Sequence, residues 1–265
     1  MVHTAFHAEN EALLLPEESV VELVARAEAP RRFPDLSFSD PVAERLLASL
    51  DVDTAAYDDR RLRASLMRTI IVDALVAGFF QRQPDGLALA FRPGLCTRFD
   101  RVDNGSLHWI DLDAPPVADL KSNVLDTNAR HVRTVACSAQ CSRFVDCLGS
   151  TGEIPTIIIV QSAMLRCAVE ELEQFFTEAS EKVGAGTELV IEYDATRPLR
   201  PSSLAKNAAL ELVLPDRAVA RFPRLRFLGC DAYQPPLAHA LAGYQGVSRL
   251  FRGRTMPSLA HLRFV

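Results

Sequence analysis

The sequence predicts an α/β fold: a mostly parallel sheet with helices on both faces. Short apolar runs at residues 87–91, 107–110, 156–161 and 187–194 alternate with segments whose apolar residues recur at helical spacing. Residues 87–113 then run strand, glycine-containing turn, short polar segment, strand and acidic residues. That order builds nucleotide-type sites in open α/β sheets, where ligands lie beyond the carboxyl ends of the strands. With 48% hydrophobic residues in a chain of 265, the core can be large.

Residues 1–60 read as helical cover. Pro16-Glu17-Glu18 opens a helix to about Ala27, with Val20, Val21, Leu23 and Val24 as its apolar side. The stretch from Pro30 to Pro34 breaks it. A second helix, from Asp40-Pro41 to about Leu50, carries Val42, Leu46, Leu47 and Leu50. Residues 58–83 predict one long helix with Leu62, Leu66, Ile70, Leu75 and Phe79 inward, and Arg68 within reach of a cleft.

The first strand, 87–91, is apolar at every position, as suits a strand buried on both faces. Pro93 and Gly94 make the turn, and the strand at 107–110 ends on Asp111 and Asp113. A helix at 114–124 leads to strands at 131–137 and 156–161. An amphipathic helix over 169–183 stops near Gly184 and Gly186, ahead of a strand at 187–194. The remainder departs from this alternation, with a partial lid at about 196–222 and strands near 224–228 and 259–265. The expected division is therefore 1–60 as cover and 61–265 as the α/β domain.

Net charge is −5 and the basic residues are scattered, so no phosphate-backbone partner is expected. The first residues lack a basic-then-apolar arrangement, and no apolar run reaches membrane-spanning length. A cytoplasmic protein is expected. Its six cysteines lack the regular spacing of a secreted disulfide framework.

The stretch PGLCTRFDRVDNGSLHWIDLDAP resembles the motif region of the leucine carboxyl methyltransferases and the tetracenomycin-type polyketide O-methyltransferases. That family reads approximately G-A-G-L-D-T-R-F-x-R-x-D-N-G, followed by a strand ending D-x-D-x-P. Upstream, Arg68-Thr69-Ile70-Ile71-Val72-Asp73 is similar to the family's R-T-x-x-x-D helix. Downstream, the likeness continues through Ala136-Cys137-Ser138 to the strand at 157–161, covering about residues 60–195. It implies a Rossmann-like, S-adenosylmethionine-dependent methyltransferase fold with a seven-stranded, mostly parallel sheet and an antiparallel C-terminal hairpin. It also implies secondary metabolism and a small-molecule substrate, here an anionic one, and leaves room for a protein partner. Carried over residue by residue, Arg68 would hold the cofactor carboxylate and Gly94 would belong to its turn. Asp111 would take the ribose, and Gln161 stands where the family's cofactor-side acid is.

The likeness lapses at the cofactor itself. Arg92 and Pro93 replace the family's first glycine and its neighbour, and a side chain at 92 crowds a cofactor that needs bare backbone. Cys96 and Cys141 replace aspartates, Gln161 an acid and Arg166 a tyrosine. The cofactor motif is thus degraded.

The candidate catalytic residues are Cys96, Cys141, Arg166 and Tyr193, the last beside Asp194 at a strand end. Thiols at 96 and 141, with Cys137 and Cys147 near the latter, suit a nucleophile or redox pair, or are small buried residues left by drift. No spacing supports a metal site, and none is expected. Arg92, Arg98, Arg101 and Arg166 form a second constellation, suited to a carboxylate or phosphate, although a surface role explains Arg101 equally well. His108, His131, His239 and His261 are isolated from any triad spacing.

Three functions fit. One is S-adenosylmethionine-dependent O-methylation of a carboxylate or hydroxyl. Another is a methyl-donor-independent elimination, cyclisation or isomerisation in a rebuilt pocket. The third is a non-catalytic pseudo-methyltransferase subunit.

Overall fold

The strands are β1 (Leu87–Phe91), β2 (His108–Asp113), β3 (Val132–Ala136), β4 (Thr156–Val160), β5 (Glu188–Tyr193), β6 (Leu225–Cys230) and β7 (Ser258–Phe264). The structure is a computed structural model that describes residues 16–124, 132–136, 154–161, 169–193, 222, 224–230 and 258–265. Among these, the strand order is β3-β2-β1-β4-β5-β7-β6. The pairs β2–β3, β1–β4 and β4–β5 are parallel, whereas β5–β7 and β6–β7 are antiparallel. The expected mostly parallel seven-stranded sheet and its antiparallel C-terminal pair are both present. The lid expected at 196–222 falls almost wholly outside the described residues.

The chain divides into two compact units, residues 1–84 with 93–136 and residues 85–92 with 137–265. The first holds helices α1 (Glu17–Ala27), α2 (Ala29–Arg32), α3 (Pro41–Ala48), α4 (Asp59–Arg82), α5 (Arg98–Val102) and α6 (Pro115–Val124), with β2 and β3. Aspartates start two of these helices. The Asp58 carboxylate accepts the N–H groups of Arg60 and Arg61 at 2.6 and 3.2 Å, and Asp40 accepts that of Ala43 at 2.9 Å. Leu23 and Ala27 of α1, Ala43 and Leu46 of α3, and Leu50 share one apolar cluster with Leu95 and with Leu120 of α6. The N-terminal helices therefore share their core with the turn after β1.

Helix α4 corrects one expectation. Ile70 and Leu75 are only half-buried, while Ile71, Val72 and Val76 are buried. The buried stripe runs through Leu62, Ser65, Thr69, Val72, Val76 and Phe79, in alternating steps of three and four. Those steps track 3.6 residues per turn, whereas repeated steps of four drift around the helix. Ser65 and Thr69 disguised the stripe as polar. Thr69 Oγ1 donates to the Ser65 carbonyl at 3.2 Å, which makes its burial tolerable.

In the second unit β1 and β4 are buried at every position, in the register Leu87↔Thr156 to Ala90↔Ile159. Helix α7 (Val169–Lys182) packs Phe175, Phe176 and Ala179 inward, and Phe176 stacks on Phe222 at 5.4 Å. Its last carbonyls would otherwise lack partners. The Arg224 guanidinium supplies them, donating to the carbonyls of Ser180 and Val183 and, at 3.0 Å, to that of Val265. Gly186 turns the chain into β5 with φ +92°, a left-handed conformation natural to glycine. Beside it, Glu188 on β5 is buried and faces His261 and Arg263 of β7, each at 2.7 Å.

Candidate functional site

The strand order reverses between β1 and β4. Ligands of open α/β sheets bind at such a switch point, beyond the carboxyl ends of the strands. In the β1–β4 register, Ala90 lies opposite Ile159, so Arg92 and Gln161, which follow the two strands, emerge at the same end of the sheet. Both are half-buried. Arg92 has φ +48°, a left-handed conformation that costs an L residue about 1–2 kcal/mol. The backbone there holds a conformation that glycine would adopt freely.

The unit of 1–84 and 93–136 holds the turn at Gly94 and the acids of β2. Gly94 has φ +59°, and a Cβ there would lie 3.0 Å from Ser19 Oγ on α1. Glycine is thus required twice over at this position, by its dihedral and by the close approach of a helix. Its N–H donates to Asp113 Oδ2 at 2.7 Å, and the Ala114 N–H donates to Oδ1 at 3.1 Å. Strand alternation puts Trp109, Asp111 and Asp113 on one face of β2. Asp111 is 6% exposed and both of its oxygens are engaged. Oδ1 accepts the Trp109 indole N–H at 2.7 Å, and Oδ2 pairs with the Lys121 ammonium.

Lys121 is only 2% exposed. Burial alone would lower its pKa, but Asp111 and Asp113 outweigh burial and raise it, so the ammonium is held charged. Asp113 is pushed up, chiefly by burial and against the pull of Lys121 and the Gly94 N–H.

Behind the turn lies a buried ionic network. Asp73 on α4 takes Arg98 Nε at 2.7 Å and Arg101 Nε at 2.6 Å. Asp40 takes Arg101 as well, Thr97 Oγ1 at 2.5 Å and, at 3.4 Å, Arg26 Nε. Arg26 also donates to the Leu95 carbonyl at 2.5 Å. Burial alone would raise Asp73, yet the two arginines outweigh it and hold its carboxyl below the usual range. Arg26 is pulled down by burial. Cys96, a free thiol, is half-buried on the same turn.

Several expected site residues thus receive definite places. Gly94, Cys96 and Asp111 fall together on the turn and β2, while Arg68 is a half-buried residue of α4. Gln161 follows β4, and Tyr193 closes β5 in register with Ser258. Cys141 and Arg166 lie outside the described residues, as do Cys137, Cys147, Asp194, His131 and His239. Arg98 and Arg101 were read as ligand-facing or superficial; instead, Asp73 and Asp40 engage them inside the fold. Asp111 and Asp113 close β2, at the strand end where they were expected.

Lys121, Trp109 and Arg26 escaped sequence reading as site residues. Lys121 had a legible signal: it lies four residues after Val117 and beside Leu120, on the inward stripe of α6. A lysine there needs a buried acid. Among the described residues no group of His, Cys, Asp and Glu side chains is arranged to hold a metal ion. None of the described helices is long and apolar enough to cross a membrane.

No protein-family model and no curated protein matches the sequence. Solved structures do match in fold. A candidate methyltransferase from Thermobifida fusca YX aligns with a TM-score of 0.52 at 10% identity, covering 94% of each chain. An O-methyltransferase family protein from Burkholderia thailandensis aligns at 0.47 and 13% identity, over 93% of this chain and 71% of its own. A pericyclic reaction enzyme aligns at 0.41 and 10% identity over 68% of this chain, which spans 43% of that enzyme's length. The fold is accordingly the methyltransferase-type α/β fold.

Proposed function

We propose that this chain is a small-molecule tailoring enzyme of the methyltransferase fold that no longer takes S-adenosylmethionine in the usual pose. The carrying observation is the state of Asp111. A β2 acid that serves a ribose must offer its oxygens to the two hydroxyls. Here one oxygen is bound by Trp109 and the other by Lys121, at 6% exposure. Asp113, on the same strand, already accepts the Gly94 N–H. The described residues do not fit that cofactor as they stand.

What the switch point offers instead is a cation and a carboxamide, Arg92 and Gln161, at the adjoining ends of β1 and β4. A guanidinium there suits a carboxylate-bearing or otherwise anionic substrate. It would stabilise negative charge that develops during an elimination, cyclisation or isomerisation. Gln161 would orient the substrate through its amide, and Cys96 remains a candidate for proton movement or attack.

Methyl transfer is the second reading, favoured by the left-handed backbone kept at both Arg92 and Gly94. Strain retained at a turn commonly marks a site. In that case catalysis is mainly positioning of the acceptor oxygen. Calorimetric titration of the full chain with S-adenosylmethionine, and separately with S-adenosylhomocysteine, separates the two. The donor-free reading expects no heat and no thermal shift with either. Micromolar binding would overturn it and install the second.

A further inference from the structure

We infer that Lys121 is a specificity-determining gate, which holds Asp111 away from any ligand that carries a vicinal diol. The inference rests on the reading above and names the residue responsible for it. Lys121 and Asp111 are 2% and 6% exposed, so their pairing is internal and no solvent competes for it. The ammonium projects from α6 onto an acid of β2, ten residues earlier in the chain. It therefore occupies the side of the carboxylate away from Trp109, whose indole N–H holds the other oxygen. A ribose approaching Asp111 would have to break a buried ion pair and leave a buried ammonium beside Asp113 alone, a far costlier exchange than displacing water. The gate thus keeps nucleoside-type ligands from Asp111.

The test compares wild-type chain with Lys121→Ala, which removes the ammonium and opens its volume. Both are titrated calorimetrically with S-adenosylhomocysteine and with adenosine, after far-UV circular dichroism confirms folding. A gain of at least tenfold in affinity for either probe is expected in the variant. A folded variant that binds no better than wild type overturns the gate and leaves the donor-free reading standing. Micromolar binding by the wild type overturns that reading. If the variant then gains nothing, the gate falls with it.

Lys121→Ala strands two buried carboxylates and can fail to fold. The double variant Asp111→Asn with Lys121→Ala removes the stranded charge at residue 111 and keeps an amide that bonds to hydroxyls, so the same titration applies to it. Trp109→Phe, which frees only Oδ1, is expected to gain less than threefold. A gain from Trp109→Phe equal to that from Lys121→Ala would move the gate from the lysine to the indole.

Discussion

The two units fill their interiors differently. Among the described residues of 85–92 and 137–265, β1 and β4 supply Leu87 to Phe91 and Ile157 to Val160, β7 adds Leu259, Leu262 and Phe264, and Glu188 and Glu192 are the buried charges. In the unit of 1–84 and 93–136, an apolar cluster shares the interior with Arg26, Asp40, Arg98, Asp111, Asp113 and Lys121. An aliphatic core asks only for the right volume and is stabilised by removal from water. A buried ionic core asks that each charge meet its partner, and removing one partner strands the other. The first tolerates substitution by volume. The second turns on single residues.

The sharpest way to break this comparison is Asp73→Ala, which removes the carboxylate that Arg98 and Arg101 share and leaves Arg101 with Asp40. A loss of about 3–5 kcal/mol is expected in urea unfolding. The ionic account is wrong if the loss stays under about 1 kcal/mol, the scale of an exposed pair. The same carboxylate carries a pH signature. Its folded pKa lies below the ordinary 3.8, so the unfolded state binds the proton more readily. Its contribution is complete above that ordinary value and is lost as pH falls through the depressed folded pKa. Stability curves of wild type and Asp73→Asn should therefore converge in acid and separate toward neutrality.

Ile158→Ala in β4 makes the matching cut in the aliphatic core. Ile158 is fully buried, and a loss of about 2–5 kcal/mol is expected, with Ile158→Val costing only about 0.5–1.5 kcal/mol. A graded response there, beside an abrupt one at Asp73, is what separates the two kinds of interior.

Gly94→Ala should cost about 1–2 kcal/mol for the left-handed dihedral, plus the clash with Ser19 Oγ. Pairing it with Ser19→Gly should return the clash and leave the dihedral cost, less whatever glycine removes from α1. A double-mutant cycle on melting curves measures that split. Arg92→Gly is the smallest effect and has the opposite sign. Relief of the dihedral at φ +48° is offset by greater freedom in the unfolded chain, so a net gain of up to about 1 kcal/mol is expected. A loss instead would mean that the Arg92 side chain itself stabilises the fold.

Much of this molecule was legible in residue pattern alone. The continuous apolar runs of β1 and β4, the proline and aspartate helix starts, and the alternation of strand with helix are local signals, and each element stands where its signal placed it. Leu62 and Phe79 likewise declared the inward side of α4, although Ser65 and Thr69 hid its middle. The turn at Gly94 was also readable, because a glycine after a strand has few other uses.

Tertiary structure alone decided which charges meet. Asp111 and Lys121 are ten residues apart, Asp73 and Arg98 twenty-five, and Asp40 and Arg101 sixty-one. Sequence offers an acid and a base in each case but not their distance in space. An aspartate at a strand end looks the same whether it awaits a ribose or already holds a lysine. Apolar residues betray their burial because transfer from water acts on each alone, whereas an ion pair exists only once two elements have packed. The fold was therefore written largely in single residues, and the state of its site in pairs.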